Sequence, residues 1–314
     1  MQERSVVVER PGLTLARIVR EAIPDTSWNR ARDLCTTGRV YVNSQRCMSA
    51  DQRLEVGAKV EIFPTAKKLS RGVLPDEALV YVDADVVVVE KPHGLLSVPF
   101  SPEDKDTLID QTRALLRKTG SRGFDPELGI VQRIDIDTTG LLMFTRNLAA
   151  KRALSQQFRV HSVHRRYVAI AHGSVIGRPH ESLLIRDRGD GLRGSFGVFR
   201  RPRGNPPEDA QRAVTHVRVL ERLSEATLVE CALETGRQHQ IRIHLAEAGN
   251  PLVGERVYIR DFTGQRIDAP RPMLHARELG FVHPRTGREV HFSCEPPPDF
   301  TATIDRLRQS PGKE

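Results

Sequence analysis

The chain has 314 residues, which is too long for one ordinary small domain and indicates two, one of them large enough for a sizeable core. A formal net charge of +8 with only 5% aromatic residues points to an acidic polymer as partner, with nucleic acid as the first candidate. The four cysteines lie far apart and form no CxxC pair, which argues against a disulfide framework or a zinc ribbon and fits a reducing cytosol.

Neither secretion nor membrane insertion is indicated by the apolar tracts. The charged start of the chain, MQERSVVVERPG, lacks an apolar run of signal-peptide length. The longest apolar tracts, such as Val86–Val89 and Leu141–Phe144, have the length of strands and are too short to span a bilayer. We therefore expect a cytoplasmic protein without a membrane span.

Residues 12–64 predict a small module of two helices followed by strands. Leucine, isoleucine, valine and alanine recur at helical spacing up to Pro24, and Ser27 is suited to cap a second helix that runs to Gly38. Alternating valines and a final strand at Lys59–Phe63 follow. The pattern indicates an α/β module in the first quarter of the chain.

Arginines decorate the helical part of this module. Most charge runs are solvated surfaces, but arginines on two adjacent helices are as consistent with phosphate contacts. The module resembles the S4 RNA-binding domain, although Trp28 stands where that family usually has an arginine. The resemblance implies an RNA-binding domain at residues 1–66, with Arg30 and Arg39 among its phosphate contacts. The matching residues include Leu13, Ile18, Ser27, Arg30, Leu34, Gly38–Asn43 and Gly57.

A polar, aperiodic stretch at residues 67–76 predicts a linker to a second domain at residues 77–314. That domain begins with two strands inside Leu79–Lys91. A helix is predicted at residues 106–118, with Asp106 as its cap.

Asn147 can cap the next helix, and strands then dominate the chain. Thr235–Gly249 predicts a turn into a helix, Phe281–Phe292 a hairpin, and the stretch from about Phe300 a last helix. Arg186–Gln211 is rich in Arg, Gly, Pro and Asp, and we favour a solvated insertion loop there over a specific RNA contact. The strands predicted between these elements are Tyr167–Ile170, Leu183–Ile185, Val214–Leu220 and Thr227–Leu233.

The segment Gly129–Arg146 places two carboxylates, Asp135 and Asp137, beside Arg133 in a polar island between apolar runs. Asp-x-Asp could bind a metal, but the histidines are scattered among arginines instead of being grouped with acids. A glycosidase pair requires carboxyl groups roughly 5–9 Å apart across a sugar, which neighbours on one loop would meet only by chance. A single nucleophilic carboxylate oriented by an arginine is simpler.

From Leu79 onward, a series of ordered blocks resembles the RluA-type pseudouridine synthases. By this resemblance Asp135 takes the position of the catalytic aspartate, Tyr167 that of the ring that packs on the uracil, and Arg242 that of the arginine that pairs with the aspartate. The expected RNA contacts in this domain are Arg133, Arg237 and His239. The blocks are Val80–Leu95, Arg133–Gly140, Arg165–Ala169, Ala213–Thr215, Leu233–Leu245, Leu274–Ala276 and Phe281–Pro284.

The resemblance implies an enzyme that isomerises uridines in structured RNA to pseudouridine with neither a cofactor nor a metal. The absence of a Rossmann turn or a P-loop from the sequence agrees with this. Asp135 would act on the ribose, either by adding at carbon or by removing the 2′ proton. We expect ribosomal RNA as substrate, with transfer RNA as the alternative, and a monomer.

Two other functions stay open at this point. Gln132 replaces the usual histidine before the arginine of the signature, and with Trp28 this departure motivates an RNA-binding or ribosome-assembly factor of weak catalytic power. A metal-dependent enzyme that uses Asp135 and Asp137 is the third hypothesis. The expected fold class is α+β: a largely antiparallel mixed-sheet catalytic domain flanked by helices, plus a small S4-like module.

Overall fold

The computed structural model describes residues 3–43, 45–47, 50–66, 74–101, 104–119, 127–199 and 204–309. The chain divides between residues 73 and 74 into two compact units. Leu74 is 3% exposed and packs in the core of the second unit, so the C-terminal end of the predicted linker belongs to that unit. The rest of that linker, residues 67–73, lies outside the described residues.

The N-terminal unit combines two helices with a small antiparallel sheet. Its elements are β1 (Arg4–Val7), α1 (Leu15–Ala22), α2 (Trp28–Thr36), β2 (Val40–Val42), β3 (Gln45–Arg46) and β4 (Lys59–Ile62). The strands lie in the order β1-β4-β2-β3. Ser27 caps α2 as predicted, because its hydroxyl accepts a hydrogen bond from the backbone N–H of Arg30. β1 was not predicted; charged residues flank its short valine run.

The second unit holds the remaining elements. Its helices are α3 (Leu108–Lys118), α4 (Leu148–Arg159), α5 (Gln240–Glu247) and α6 (Pro298–Gln309), preceded by a 3₁₀ turn at Asp76–Ala78. Its strands are β5 (Leu79–Val82), β6 (Val86–Lys91), β7 (Gly129–Ile130), β8 (Thr139–Thr145), β9 (His164–His172), β10 (Pro179–Ile185), β11 (Gly194–Ser195), β12 (Gln211–Leu223), β13 (Ala226–Leu233), β14 (Leu274–Val282) and β15 (Glu289–Ser293).

These eleven strands form one mixed sheet. Its main path is β11-β10-β12-β13-β9-β14-β8-β6-β5, with β15 beside β14 and β7 beside β8. β14 and β8 run parallel, and the other neighbours are antiparallel. The predicted α+β class and the largely antiparallel sheet are therefore confirmed. No helix in the described part of the chain has the length and apolarity needed to cross a bilayer.

Helices cover both faces of this sheet. Successive strand residues point to opposite faces, so neighbouring valines of β6 enter different cores. Val87 belongs to the core that includes residues of α3 and α5, whereas Val86 belongs to a cluster that includes Leu154 of α4. Tyr167 lies in the first of these cores, with α5. The side chain that resembles the uracil-packing ring and the helix that carries Arg242 are thus on one face.

One predicted boundary was wrong, at the start of α3. The helix begins at Leu108 and its cap is Thr107, not Asp106, whose φ is +57°. The backbone N–H and the hydroxyl of Thr107 both donate to one carboxylate oxygen of Asp110, at 3.1 and 2.7 Å. Asp110, at the third position of the helix, favours Thr107 as the cap because its carboxylate accepts hydrogen bonds from both donors of Thr107.

β8 and β14 approach unusually closely where the parallel pair begins. Gly140 has a φ of +106°, and a Cβ on it would lie 2.2 Å from the carbonyl oxygen of Ala276. Next to it, the hydroxyl of Thr139 is 2.9 Å from Nδ1 of the buried His275. Glycine is required at this joint both for its backbone conformation and for its lack of a side chain.

Gly140→Ala is expected to lower the free energy of unfolding by about 3 kcal/mol, because the methyl group would overlap backbone that cannot move away. The matched control is Gly287→Ala. Gly287 also has a positive φ, +66°, but its Cβ would meet no atom within 4 Å, so about 1 kcal/mol of backbone strain is expected. Urea unfolding of both variants measures the difference, and equal losses would contradict the close approach.

Candidate active site

Two cavities lie side by side next to α5 and share one wall. Their volumes are about 510 and 520 Å³. The first is lined by Tyr167 and Leu274, and the second by the segment from Leu96 to Phe100. Asp135 lies on the wall between them. The other residues of this shared wall that matter to the site are Arg133, Arg237, His239 and Arg242.

Buried polar side chains fix the backbone of the loop that carries Asp135. The Ser97 hydroxyl donates to the carbonyl of Ile134 at 2.7 Å, and Lys91 Nζ donates to the carbonyl of Ile136 at 2.8 Å. Arg271, 1% exposed, donates through Nη1 to the carbonyl of Asp137 at 3.2 Å. Backbone on both sides of the aspartate is therefore held, which keeps the carboxylate in one place.

Arg242 connects the Asp135 carboxylate to a second, fully buried acid. Its Nε and Nη2 donate to the two oxygens of Glu255 at 2.8 and 2.7 Å, while its Nη1 is 3.5 Å from Asp135 Oδ2. Burial alone would lower the pKa of Arg242, but the charge and hydrogen bonds of Glu255, and then the charge of Asp135, raise it. The guanidinium is thus a permanent cation in a fixed orientation.

Glu255 was not among the predicted site residues. Burial alone would raise its pKa, but the charge and hydrogen bonds of Arg242, together with the N–H groups of Val257 and Tyr258, lower it to about 2. A guanidinium has five N–H donors, and a single carboxylate cannot accept hydrogen bonds from all of them. A buried Arg242 beside Asp135 therefore implied a second acid. The sequence did not indicate which acid, because Glu255 lies 13 residues away in a loop.

His239 lies inside this cluster, at the start of α5, in a left-handed conformation with φ +60°. Its Nδ1 is 2.7 Å from the hydroxyl of Tyr258 and its Nε2 is 3.9 Å from Asp135. Burial raises the pKa of Tyr258 and lowers that of His239. We therefore assign a neutral imidazole that accepts from the tyrosine and turns its Nε2–H toward the aspartate.

Tyr167 forms part of the first cavity from the centre of the sheet. It is 8% exposed and is paired through its backbone with Cys231 of β13 and Ala276 of β14. Burial raises the pKa of its phenol, against the charge of Arg165. A neutral ring held by two neighbouring strands can pack on a planar ligand without taking part in proton transfer at neutral pH.

A buried hydrogen-bond network joins α5 to the sheet behind the site. His244 Nδ1 is 2.9 Å from the hydroxyl of Thr215, and its Nε2 is 3.0 Å from that of Ser182. The hydroxyl of Thr215 already accepts a hydrogen bond from Gln240 Nε2. We therefore assign the hydroxyl proton of Thr215 to the hydrogen bond with His244, in which Nδ1 accepts. Burial, and then the charge of His180, lowers the pKa of His244 to about 4. The network requires the neutral ring.

The remaining predicted residues occupy different surroundings. Arg133 is exposed, and Arg237 donates to the carbonyl of Arg212 at 3.1 Å. Arg30 lies on the N-terminal unit, where it pairs with Asp33 at 3.2 Å. Arg39 is only 4% exposed and donates to the carbonyl of Pro64 at 3.0 Å. Its guanidinium is enclosed by its own unit, so this burial does not favour the predicted phosphate contact.

The surroundings of Asp135 do not resemble a cation site, since its neighbours are Arg242 and His239. In the described residues, one group of three possible ligands lies elsewhere, at Asp83, Asp85 and His283. There Arg285 already binds both carboxylate oxygens of Asp85, at 2.5 and 2.7 Å. The geometry around Asp135 therefore does not support the hypothesis of a metal bound by Asp135 and Asp137.

Comparison with known proteins assigns the chain to a family. Residues 85–247, which carry Asp135, Tyr167 and Arg242, match the family described as RNA pseudouridylate synthase. The chain belongs to this family. It is therefore a pseudouridine synthase, and its RNA-modifying class agrees with the resemblance of its sequence blocks.

Curated relatives of this pseudouridine synthase match nearly the whole chain. An uncharacterised RNA pseudouridine synthase of Bacillus subtilis is 36% identical over 92% of this chain and 93% of its own length. A protein of Zymomonas mobilis named ribosomal large subunit pseudouridine synthase D is 33% identical, over 98% of this chain and 97% of its own length.

Solved structures share the fold of about three quarters of this chain. The human RNA pseudouridylate synthase domain containing 4 matches with a TM-score of 0.59 and 21% identity, over 76% of this chain and 95% of its own. The human RNA pseudouridylate synthase domain containing 1 has a TM-score of 0.55 and 23% identity over similar shares, 76% and 96%. At this identity the likeness concerns the fold.

Glu255→Gln is expected to lower the free energy of unfolding by about 3 kcal/mol, because it leaves the buried charge of Arg242 without its main counterion. It should also slow turnover, since Arg242 would no longer be held against Asp135. The matched control is Glu221→Gln, which breaks an ion pair with Arg308 of 2.7 Å at the surface. That change should stay within about 1 kcal/mol in urea unfolding; similar losses in both variants would contradict the structural role of Glu255.

His244 predicts a loss of stability in mild acid. Its pKa in the folded chain, about 4, lies below that of an unfolded histidine. Between pH 6.5 and 4 this histidine is therefore protonated in the unfolded chain and neutral in the folded chain. Its contribution is therefore lost as the pH falls through that window. From pH 6.5 to 4.5 the wild type should lose about 2 kcal/mol more than His244→Gln in urea unfolding, and parallel curves would count against the neutral ring.

Proposed function

We propose that this protein isomerises uridines in RNA to pseudouridine at the wall between the two cavities, with Asp135 as the catalytic residue. The observation that carries the proposal is the position of the Asp135 carboxylate, which is 21% exposed, oriented by Arg242 and bordered by a cavity with a tyrosine wall. Membership of the pseudouridylate synthase family supports the same assignment.

In this reaction the bond between N1 of uracil and C1′ of ribose breaks, the base turns, and C5 bonds to C1′. The hydrogen on C5 leaves as a proton and N1 gains one, so no redox partner or group donor is consumed. Asp135 acts on the ribose, and Arg242 holds its carboxylate. Tyr167 packs on the uracil face, which the neutral phenol and the apolar side chain of Leu274 support.

The target base must leave its stack before it can reach Asp135. Unstacking a base is unfavourable by a few kcal/mol, and this free-energy cost is smallest for a base in a loop. An unpaired uridine in a structured RNA is therefore the expected substrate. We propose ribosomal RNA of the large subunit, as the name of the Zymomonas mobilis relative suggests. Four free cysteine thiols support a reducing cytoplasm as its location, and we expect a monomer without a cofactor.

We further propose that the N-terminal unit is an S4-type RNA-binding domain. Arg17, Arg20 and Arg32 are exposed on α1 and α2, and Arg30 is partly exposed. The guanidinium of Arg20 lies 4.7 Å from the ring of Trp28, so the tryptophan that departs from the family pattern still forms part of a basic surface.

RNA labelled with tritium at C5 of uracil tests the reaction directly. Wild-type protein should release tritium from large-subunit ribosomal RNA, and Asp135→Asn should lower the release at least about 1,000-fold because the amide cannot replace the carboxylate. The matched control is Asp137→Asn, two residues away, which should retain activity because only the backbone carbonyl of Asp137 supports the loop.

Each alternative function gives a different result in this assay. Release of tritium by Asp135→Asn at the wild-type rate would remove Asp135 from the mechanism. RNA retention without turnover by the wild type would favour an RNA-binding or assembly factor. Activity that disappears in EDTA would favour the metal-dependent hypothesis.

A further inference from the structure

The two cavities share the wall that carries Asp135. With the uracil against Tyr167 and its ribose at Asp135, the sugar-phosphate chain can continue from the first cavity into the second. The second cavity, of about 520 Å³, lies beyond that wall and has the size of sites that bind molecules such as nucleotides. Family membership and the proposed chemistry assign no occupant to it.

Phe100 forms one side of this cavity and is 89% exposed. The backbone of the loop that carries Phe100 is held in place, because the N–H groups of Phe100 and Ser101 both donate to Asp104 Oδ2 at 2.8 Å. A fixed, exposed phenyl ring beside a basic cleft is the arrangement on which unpaired bases stack. Truncating the ring removes little contact inside the protein, so its effect on RNA can be isolated.

Arg193 lies on the wall of the same cavity and comes from the insertion at residues 186–211. It has no hydrogen-bond or ion-pair partner among the described residues, whereas Arg186 is paired with Asp209 at 3.0 Å. The segment is held in place, because the N–H of Ser195 donates to Glu247 of α5 at 2.8 Å. An unpaired arginine on a fixed segment is suited to bind a phosphate.

We propose that the second cavity binds the nucleotide next to the target uridine, with its base stacked on Phe100 and its phosphate held by Arg193. The inference rests on the proposed function, since it takes the target ribose to lie at Asp135. It gives the insertion a role in substrate binding, and it means that the enzyme selects for an unpaired neighbour as well as an unpaired target.

The test is single-turnover tritium release from large-subunit ribosomal RNA labelled at uracil C5, measured across protein concentrations to obtain the half-saturating concentration. Phe100→Ala should raise that concentration roughly 5- to 100-fold, and Phe100→Trp should restore it, because stacking tolerates any aromatic ring. The control is Ile176→Ala, which truncates another apolar side chain, 70% exposed, outside both cavities.

Arg193→Ala should also raise the half-saturating concentration and should reduce the slope of its logarithm against the logarithm of salt concentration by about 0.7, the value for one phosphate of a single strand. Arg308→Ala, at a surface arginine outside both cavities, should leave the slope as it is. Thermal unfolding of each variant checks that it is folded.

The outcomes separate this inference from the proposed function. Turnover by the wild type together with an unchanged half-saturating concentration in Phe100→Ala overturns the inference and leaves the proposed function standing. Failure of the wild type to release any tritium overturns the proposed function, and this inference falls with it.

Discussion

The buried ion pair between Arg242 and Glu255 is the interaction on which the site depends. A guanidinium inside a protein requires counterions, and Glu255 supplies one in a bidentate geometry that fixes the plane of the group. The remaining donor is then directed at Asp135, 3.5 Å away. Asp135, the acid that the reaction is expected to use, is therefore oriented by Arg242, which is itself held by a second acid with a fully buried side chain.

The sheet provides the rigidity that this geometry requires. The loop of Asp135 leads into β8, where the backbone of Gly140 lies against that of Ala276 in β14, and α5 is held to neighbouring strands through the network around His244. Two segments 107 residues apart, those of Asp135 and Arg242, are thus placed against one framework. Sites built on such elements hold their geometry better than sites built on free loops.

The insertion at residues 186–211 places its arginines in different surroundings. Its arginine, glycine and proline content is typical of a solvated loop. Arg186 and Arg193 both line the second cavity, but Arg186 is paired with Asp209, whereas Arg193 has no hydrogen-bond or ion-pair partner among the described residues. Long-range contacts such as that from Ser195 to Glu247 hold the segment there, and local composition does not encode them.

The sequence by itself determined what is local. Helix caps at Ser27 and Asn147 and the alternating strands follow from short-range rules, and the resemblance of ordered blocks predicted Asp135 as the central residue. Tertiary structure alone decided that Glu255 completes the charge cluster and that Arg39 is enclosed. The burial of a charged side chain and the identity of its partners depend on contacts across the fold, and the residue type alone does not predict these contacts.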